Sequence, residues 1–208
     1  MAERSNKVVP EHRLTVKEVL GSLVNDGLAD RTEADALIAE SRLKRMGTHP
    51  LVVVAERKWK SLKEPFELLT LEVLSEWFAG KVGLEYFNID PLKVDFTAVT
   101  NIVSSAYATR FNILAVQVTP DEVVFATAEP FLREWEKEIR AIAKRRVRRV
   151  IANPLDIARY QVEFYNLARS VKKAAQAGGQ SAGPSSFEQL VELGRTNRQF
   201  DANDRHIV

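Results

Sequence analysis

The chain has 208 residues, of which 45% are apolar and 28% charged, an ordinary composition for a globular protein with one domain or two small ones. It has no cysteine, which excludes disulfides and thiolate metal sites, and a net charge of +2 that says little about partners. No apolar run approaches the ~18 residues of a membrane-spanning helix, and no signal peptide is visible, so a cytoplasmic protein is expected.

The chain begins with the pattern of a helical subdomain over 13–82, after a loose N-terminus at 1–12. Thr15 and Thr70 are the residue types that cap helix N-termini, and Gly27 suits a helix C-terminus. Three helices are predicted, over 14–25, 30–44 and 70–82.

Two stretches between these helices differ in their signals. The run of valines in residues 51–59 favours a strand, whereas Thr48 followed by Pro50 favours the start of a helix, so both structures stay open. Residues 61–69 contain Pro65 and are predicted to form a loop.

The apolar stripes of the first helices are narrow. The first stripe consists of Val16, Val19, Leu20 and Leu23, and the second centres on Leu37 and Ile38. Short helices with such stripes are expected to leave apolar surface for a partner. Docking is therefore predicted to use the helical subdomain, with Val16, Leu20 and Leu23 as candidate contacts.

An α/β subdomain is predicted over 83–174, which makes the fold class α+β. Its elements follow the order β-α-β-β-α-β-α and form a small mixed sheet with helices packed mainly on one face. Strands are predicted over 84–89, 113–118, 122–126 and 146–152, and helices over 95–110, 131–143 and 153–174.

Two of these helices carry apolar stripes in their sequence. Phe131, Trp135 and Ile139 recur at intervals of four in the helix over 131–143. The last helix, capped by Asn153, carries the longest stripe. Its members are Ile157, Tyr160, Phe164, Leu167 and Val171.

The composition changes after residue 174. Residues 175–185 are rich in Gly, Ser and Ala and predict a flexible linker. Residues 186–208 predict a short helix and a tail that leads into another domain.

No enzymatic machinery is visible in the sequence. There is no GxxxxGK[ST] phosphate loop and no GxGxxG after a strand. His12, His49 and His206 are far apart and lack the spacing of metal ligands. No catalytic residue, metal site or cofactor is therefore predicted for this chain.

One charge run, at 144–149, reads KRRVRR. It suits nucleic acid, acidic lipid or an acidic protein surface, and it equally suits a strand whose arginines point alternately outward. Because the aromatic interleaving of a nucleic-acid platform is missing, no nucleic-acid partner is expected. Arg145, Arg148 and Arg149 are the candidate partner contacts here.

Four phrases in order closely resemble the N-terminal region of the type II secretion and type IV pilus assembly ATPases. They are IDPLKVDF (89–96), SSAYATRFNILAV (104–116), ATAEPFLREW (126–135) and ANPLDIARYQVEFYNLARSVKKA (152–174). The resemblance covers roughly residues 13–174. It implies an N-terminal fragment of an ATPase, whose own C-terminal module would bind ATP and Mg.

The resemblance also implies partners. The N-terminal region of this family docks on the cytoplasmic part of an inner-membrane platform protein, so a peripheral, non-inserted position at that membrane is expected. Some relatives bind cyclic di-GMP there, through a motif with Arg, Gly and Gln at fixed spacing. Aligned on Gly27, this chain matches that motif at Leu23, Val24 and Leu28.

The motif's Arg, Gly and Gln positions fall on Glu18, Leu20 and Ser41, which depart from the pattern. A guanine-phosphate ligand needs a cation and close backbone approach, which Glu18 and Leu20 do not supply. Arg13 is the available substitute for the motif's Arg, although it lies one helical turn before that position. The candidate residues for cyclic di-GMP are thus Arg13, Leu23, Val24, Gly27 and Leu28, and the ligand is the alternative to platform docking.

Overall fold

The computed structural model describes residues 10–43 and 47–178. Residues up to Tyr165 belong to one compact unit, and a second unit begins at Asn166 within the last helix. The described elements confirm the α+β class. Besides a short 3-10 helix at Pro91–Lys93, they are α1 (Val16–Asn25), α2 (Arg31–Leu43), α3 (Pro50–Ala55), α4 (Leu71–Val82), α5 (Phe96–Thr100), α6 (Ser105–Phe111), β1 (Ile113–Val118), β2 (Glu122–Thr127), α7 (Glu134–Ala143), β3 (Arg146–Ile151) and α8 (Pro154–Gly178).

The three strands form a mixed sheet in the order β1-β2-β3. β1 and β2 form the predicted antiparallel hairpin through residues 119–121, with a register shift between Ala115 and Gln117. β2 and β3 pair in parallel, from Glu122 opposite Arg146 to Thr127 opposite Ile151. The crossover between them contains α7, because parallel neighbours need a long connection.

The strand predicted over 84–89 is reduced to one parallel bridge between Tyr86 and Ile151. The Phe87 amide donates to the Ile151 carbonyl at 2.7 Å, and the Ile151 amide donates to the Glu85 carbonyl at 2.8 Å. Because β3 ends at Ile151 and α8 begins at Pro154, the residues after Phe87 find no strand to pair with.

The helix predicted over 95–110 is two helices, α5 and α6. The Ser104 hydroxyl accepts from the Tyr107 amide at 3.2 Å and caps α6. This cap requires an extended backbone at Ser104, which interrupts the helix. The helix predicted from Phe131 begins only at Glu134, and Phe131 packs edge-on against Phe78 instead.

Residues 50–55 form helix α3, which settles the open choice in that stretch. His49 is its N-cap, and Pro50 holds its first position. Leu51 to Val54 are all buried, a pattern that a strand covered on both faces would share in sequence. Residues 175–178 continue α8 rather than starting a linker, while 179–208 lie outside the described residues.

Two apolar clusters form the core, one within residues 14–78 and one within 89–164. Ile157, Tyr160 and Phe164 of α8 belong to the second cluster, as their stripe predicted. Leu167 and Val171 are half exposed, contrary to that stripe. No helix among the described residues is long and apolar enough to cross a membrane.

Candidate functional site

A cavity of about 460 Å³, here called the Arg13 cavity, lies where the helical residues meet the sheet. Arg13 and Lys17 bring positive charge to its wall, and Ser41, His49 and Glu129 add polar groups. Arg13 lies just before α1 and Lys17 lies in its first turn, while Glu129 comes two residues after the end of β2. A cavity of this size with a few convergent polar groups has the dimensions of a small-molecule site.

His49 is held as a neutral imidazole in the wall of the Arg13 cavity. Its Nδ1 accepts from the Leu51 amide at 3.3 Å, so Nε2 carries the proton and donates to the Ala128 carbonyl at 3.1 Å. Burial lowers the pKa of His49 to about 4. The residue therefore caps α3 and connects it to the segment after β2, with no free nitrogen for a ligand.

Glu129 is the buried carboxyl of the same cavity. Its Oε2 accepts from the Leu14 amide at 2.8 Å, and burial raises its pKa. Its Oε1 lies 3.9 Å from Nε2 of His49. The pair thus consists of a buried carboxyl and a neutral imidazole already engaged with backbone groups. This arrangement favours a structural junction over acid–base chemistry.

The structure does not assemble the five cyclic di-GMP candidates into one site. Arg13 lines the Arg13 cavity and donates to the Arg110 carbonyl at 3.4 Å. Gly27 lies beyond the other end of the ten-residue helix α1, which is about 15 Å long by helical rise. Leu23 is fully buried, whereas Val24 and Leu28 are partly buried against the first cluster.

Lys63 is a cation near Gly27 that the sequence analysis did not single out. A Cβ on Gly27 would lie 3.1 Å from Cε and 3.7 Å from Nζ of Lys63. Gly27 also has a φ of +70°, so two constraints favour glycine here. No sequence spacing indicates this contact, because the loop returns to Gly27 only in the fold.

The loop over 61–69 presents apolar side chains to solvent, and we call it the apolar loop. Leu62 is 56% exposed, Phe66 55% and Leu68 42%. Backbone bonds hold it: the Leu62 amide donates to the Leu28 carbonyl at 3.1 Å, and the Ser61 amide to the Glu67 carbonyl at 2.8 Å. These side chains therefore stay exposed on an ordered loop.

The partner contacts predicted on α1 are corrected by the structure. Leu20 and Leu23 are fully buried, and Val16 is partly buried. The stripe is covered because α1 packs against both α2 and α3. Because two helices cover this narrow stripe, α1 does not present the apolar surface that was expected of it.

The candidate arginines differ in their environments. The Arg149 side chain is largely buried against Glu136, with its Nε 2.7 Å from a carboxylate oxygen, and it donates to the Pro130 carbonyl at 2.6 Å. Arg148 pairs with Glu122 at 3.1 Å and with Glu85 at 2.6 Å. Arg145 has no ion pair with a described residue and lines an open groove beside β3.

Known proteins resemble this chain in sequence and in fold. Residues 82–171 match the MshEN domain. The type IV pilus assembly ATPase TfpB of Acinetobacter baylyi is 34% identical over 196 residues, which cover 91% of this chain and 32% of TfpB. The chain thus spans about a third of the length of this curated relative.

A solved structure of MshE with cdg has a TM-score of 0.50 and 16% identity to this chain. The likeness covers 74% of this chain and 100% of that one. At this identity it shows a shared fold alone.

Proposed function

Because residues 82–171 belong to the MshEN domain family and the chain resembles part of a type IV pilus assembly ATPase, we propose that it docks such a motor on the cytoplasmic part of an inner-membrane platform protein. It is then an N-terminal interaction domain of a pilus or secretion ATPase, peripheral at the membrane through its partner. ATP hydrolysis belongs to a module outside this chain, and the chain by itself turns over no ATP.

The apolar loop is the observation that carries the docking proposal. Leu62, Phe66 and Leu68 are each more than two-fifths exposed, although backbone hydrogen bonds order their loop. Exposed apolar side chains on ordered backbone favour protein association, because burying them at an interface costs little further ordering. The docking surface therefore lies in the helical residues, on the loop rather than on α1.

A pull-down with the cytoplasmic domain of the platform protein from the same source tests this proposal. Phe66→Ser combined with Leu62→Ser should abolish capture without lowering the melting temperature, since both side chains are exposed. Leu92→Ser is the matched control, because Leu92 is 94% exposed far along the chain. Undiminished capture by the loop variant, or no capture by the natural chain, contradicts the proposal.

Cyclic di-GMP binding is the second candidate. Arg13 and Lys17 place two cations on a cavity of about 460 Å³, and the MshE structure of similar fold was solved with cdg. Phosphate groups favour guanidinium partners, so Arg13 would carry the contact. Calorimetric titration should then show binding that Arg13→Ala removes and Arg31→Ala leaves intact. Absence of heat with the natural chain rejects this candidate.

A further inference from the structure

An open groove of about 1060 Å³ runs beside the start of β3 and the end of α7; we call it the β3 groove. Its lining is dominated by positive charge, since it contains seven cationic side chains and three carboxylates. The cations are Arg133, Arg140, Lys144, Arg145, Arg146, Arg148 and Arg149.

Too few carboxylates are present to neutralise these cations. Glu122 pairs with both Arg146 and Arg148, at 3.2 and 3.1 Å. Glu136 lies 2.7 Å from Arg149 and also faces two further arginines, at 3.2 and 3.8 Å. Lys144 and Arg145 form no ion pair with any residue that the structure describes. The β3 groove therefore keeps a surplus of positive charge.

The backbone of β3 offers a second recognition element in the same groove. The Arg146 amide donates to the Asp121 carbonyl at 2.8 Å, and the Ala152 amide donates to the Thr127 carbonyl at 3.2 Å. The even-numbered residues of β3 therefore direct their main-chain amides and carbonyls toward β2. Alternate residues of a parallel strand direct their amide and carbonyl to opposite edges. Val147 and Arg149 therefore direct theirs away from β2.

On that outer side, Val147 and Arg149 have no strand partner among the residues that the structure describes. β3 is the last strand of the described sheet, and on its outer side it pairs with the segment around Tyr86, opposite Ile151, and contacts α4. Unpaired edge amides and carbonyls are a template for another strand. This part of the β3 edge, at Val147 and Arg149, lies within the most cationic stretch of the chain, residues 144–149.

We propose that the β3 groove binds an extended acidic peptide segment of a partner protein, which adds as a strand at Val147 and Arg149. The edge requires a partner with its own amides and carbonyls, which a protein strand supplies and a lipid surface does not. Side chains of an added strand alternate between the two faces of the sheet. Arg146 and Arg148 stand on one face of β3, so carboxylates on that face of the peptide find cations, whereas Arg149 on the other face is already engaged with Glu136.

The test uses the full chain and a fluorescent peptide of alternating glutamate and threonine, chosen for charge and strand propensity. The double variant Lys144→Glu/Arg145→Glu should weaken its binding roughly tenfold or more, because two unpaired cations are reversed. The matched control Lys137→Glu/Arg31→Glu reverses two exposed cations outside the β3 groove and should bind as the natural chain does.

Hydrogen exchange separates strand addition from loose charge attraction. The bound peptide should slow exchange of the Val147 and Arg149 amides, and Val147→Pro, which removes one edge amide, should weaken binding while the thermal melt stays cooperative. Binding without slower exchange at these amides overturns the inference. So does equal binding of a lysine–threonine peptide, or phosphatidylglycerol vesicles that displace the peptide.

Discussion

The helical residues 14–82 and the α/β residues 83–165 hold their structures in different ways. In the helical part, each helix begins at a cap a few residues away: Thr15 and Glu18 form a reciprocal capping box on α1, and Thr70 caps α4. In the α/β part, the decisive partners are far apart in sequence. Gln161 donates to the carbonyls of Ala108 and Ile113, at 3.0 and 2.9 Å.

This difference explains which boundaries were predictable. Capping residues act within one turn, so local sequence predicts where helices of the first part begin. Sheet pairing in the second part depends on contacts between residues that are distant in sequence. The two parts nevertheless share bonds, from His49 to Ala128 and from Leu14 to Glu129. We therefore expect them to unfold in one cooperative transition.

The largest effect is expected at the core of the α/β part. Phe164 is 2% exposed in the second cluster, so Phe164→Ala should lower the free energy of unfolding by about 3–5 kcal/mol. Phe66→Ala in the apolar loop, where the ring is 55% exposed, should change it by less than ~0.5 kcal/mol. Urea denaturation checks both. A separate transition for the helical part in the Phe164 variant would break the expected cooperativity.

Because His49 is buried as a neutral imidazole, the free energy of unfolding should fall in mild acid. The folded pKa is about 4 and the unfolded value 6.5, so only the unfolded chain gains a proton between these pH values. The contribution of His49 is complete above pH 6.5 and declines by about 3 kcal/mol down to about pH 4.

The raised pKa of Glu129 opposes this decline, because the folded carboxyl takes up a proton more readily than the unfolded one. His49→Asn keeps a capping side chain and removes the titration, so denaturation across pH should show a flatter profile than the natural chain. His12→Asn is the control and should leave the slope below pH 6.5 unchanged. Identical profiles for the His49 variant and the natural chain contradict a buried neutral imidazole.

Glu136→Gln measures how much the carboxylate beside Arg149 contributes to the free energy of unfolding of the α/β part. The Glu136 carboxylate lies 2.7 Å from the largely buried guanidinium of Arg149, so Glu136→Gln leaves that cation with its hydrogen bond to the Pro130 carbonyl but without a carboxylate partner. The expected loss is about 2 kcal/mol in the free energy of unfolding. Glu163→Gln on the exposed face of α8 should have almost no effect. Equal stabilities would show that Arg149 reaches solvent.

The smallest effect tests the local stabilisation of the helical part. Thr15→Ala removes the hydroxyl that accepts from the Glu18 amide at 3.2 Å, and it should cost about 1 kcal/mol. Thr109→Ala, on an exposed position of α6, should be nearly neutral. A cost for Thr15→Ala as large as that for Phe164→Ala would remove the contrast between local and long-range stabilisation.

The sequence by itself determined the α+β class, the capped helices α1 and α4, the hairpin of β1 and β2, and the start of α8 at Pro154. These features depend on caps, turn residues and apolar periodicity, which act over a few residues. The family resemblance was visible for the same reason, since it rests on four continuous phrases.

Only the tertiary structure decided the reduction of 84–89 to a bridge, the burial of Leu20 and Leu23, and the exposure of Phe66. It also brought His49 to Glu129, 80 positions along the chain, and left Val147 and Arg149 without a further strand partner among the described residues, beside a surplus of cations. Burial and strand pairing depend on which surfaces meet after the chain has folded back on itself. A periodic pattern states that a face is apolar, but the neighbouring elements determine whether that face is covered.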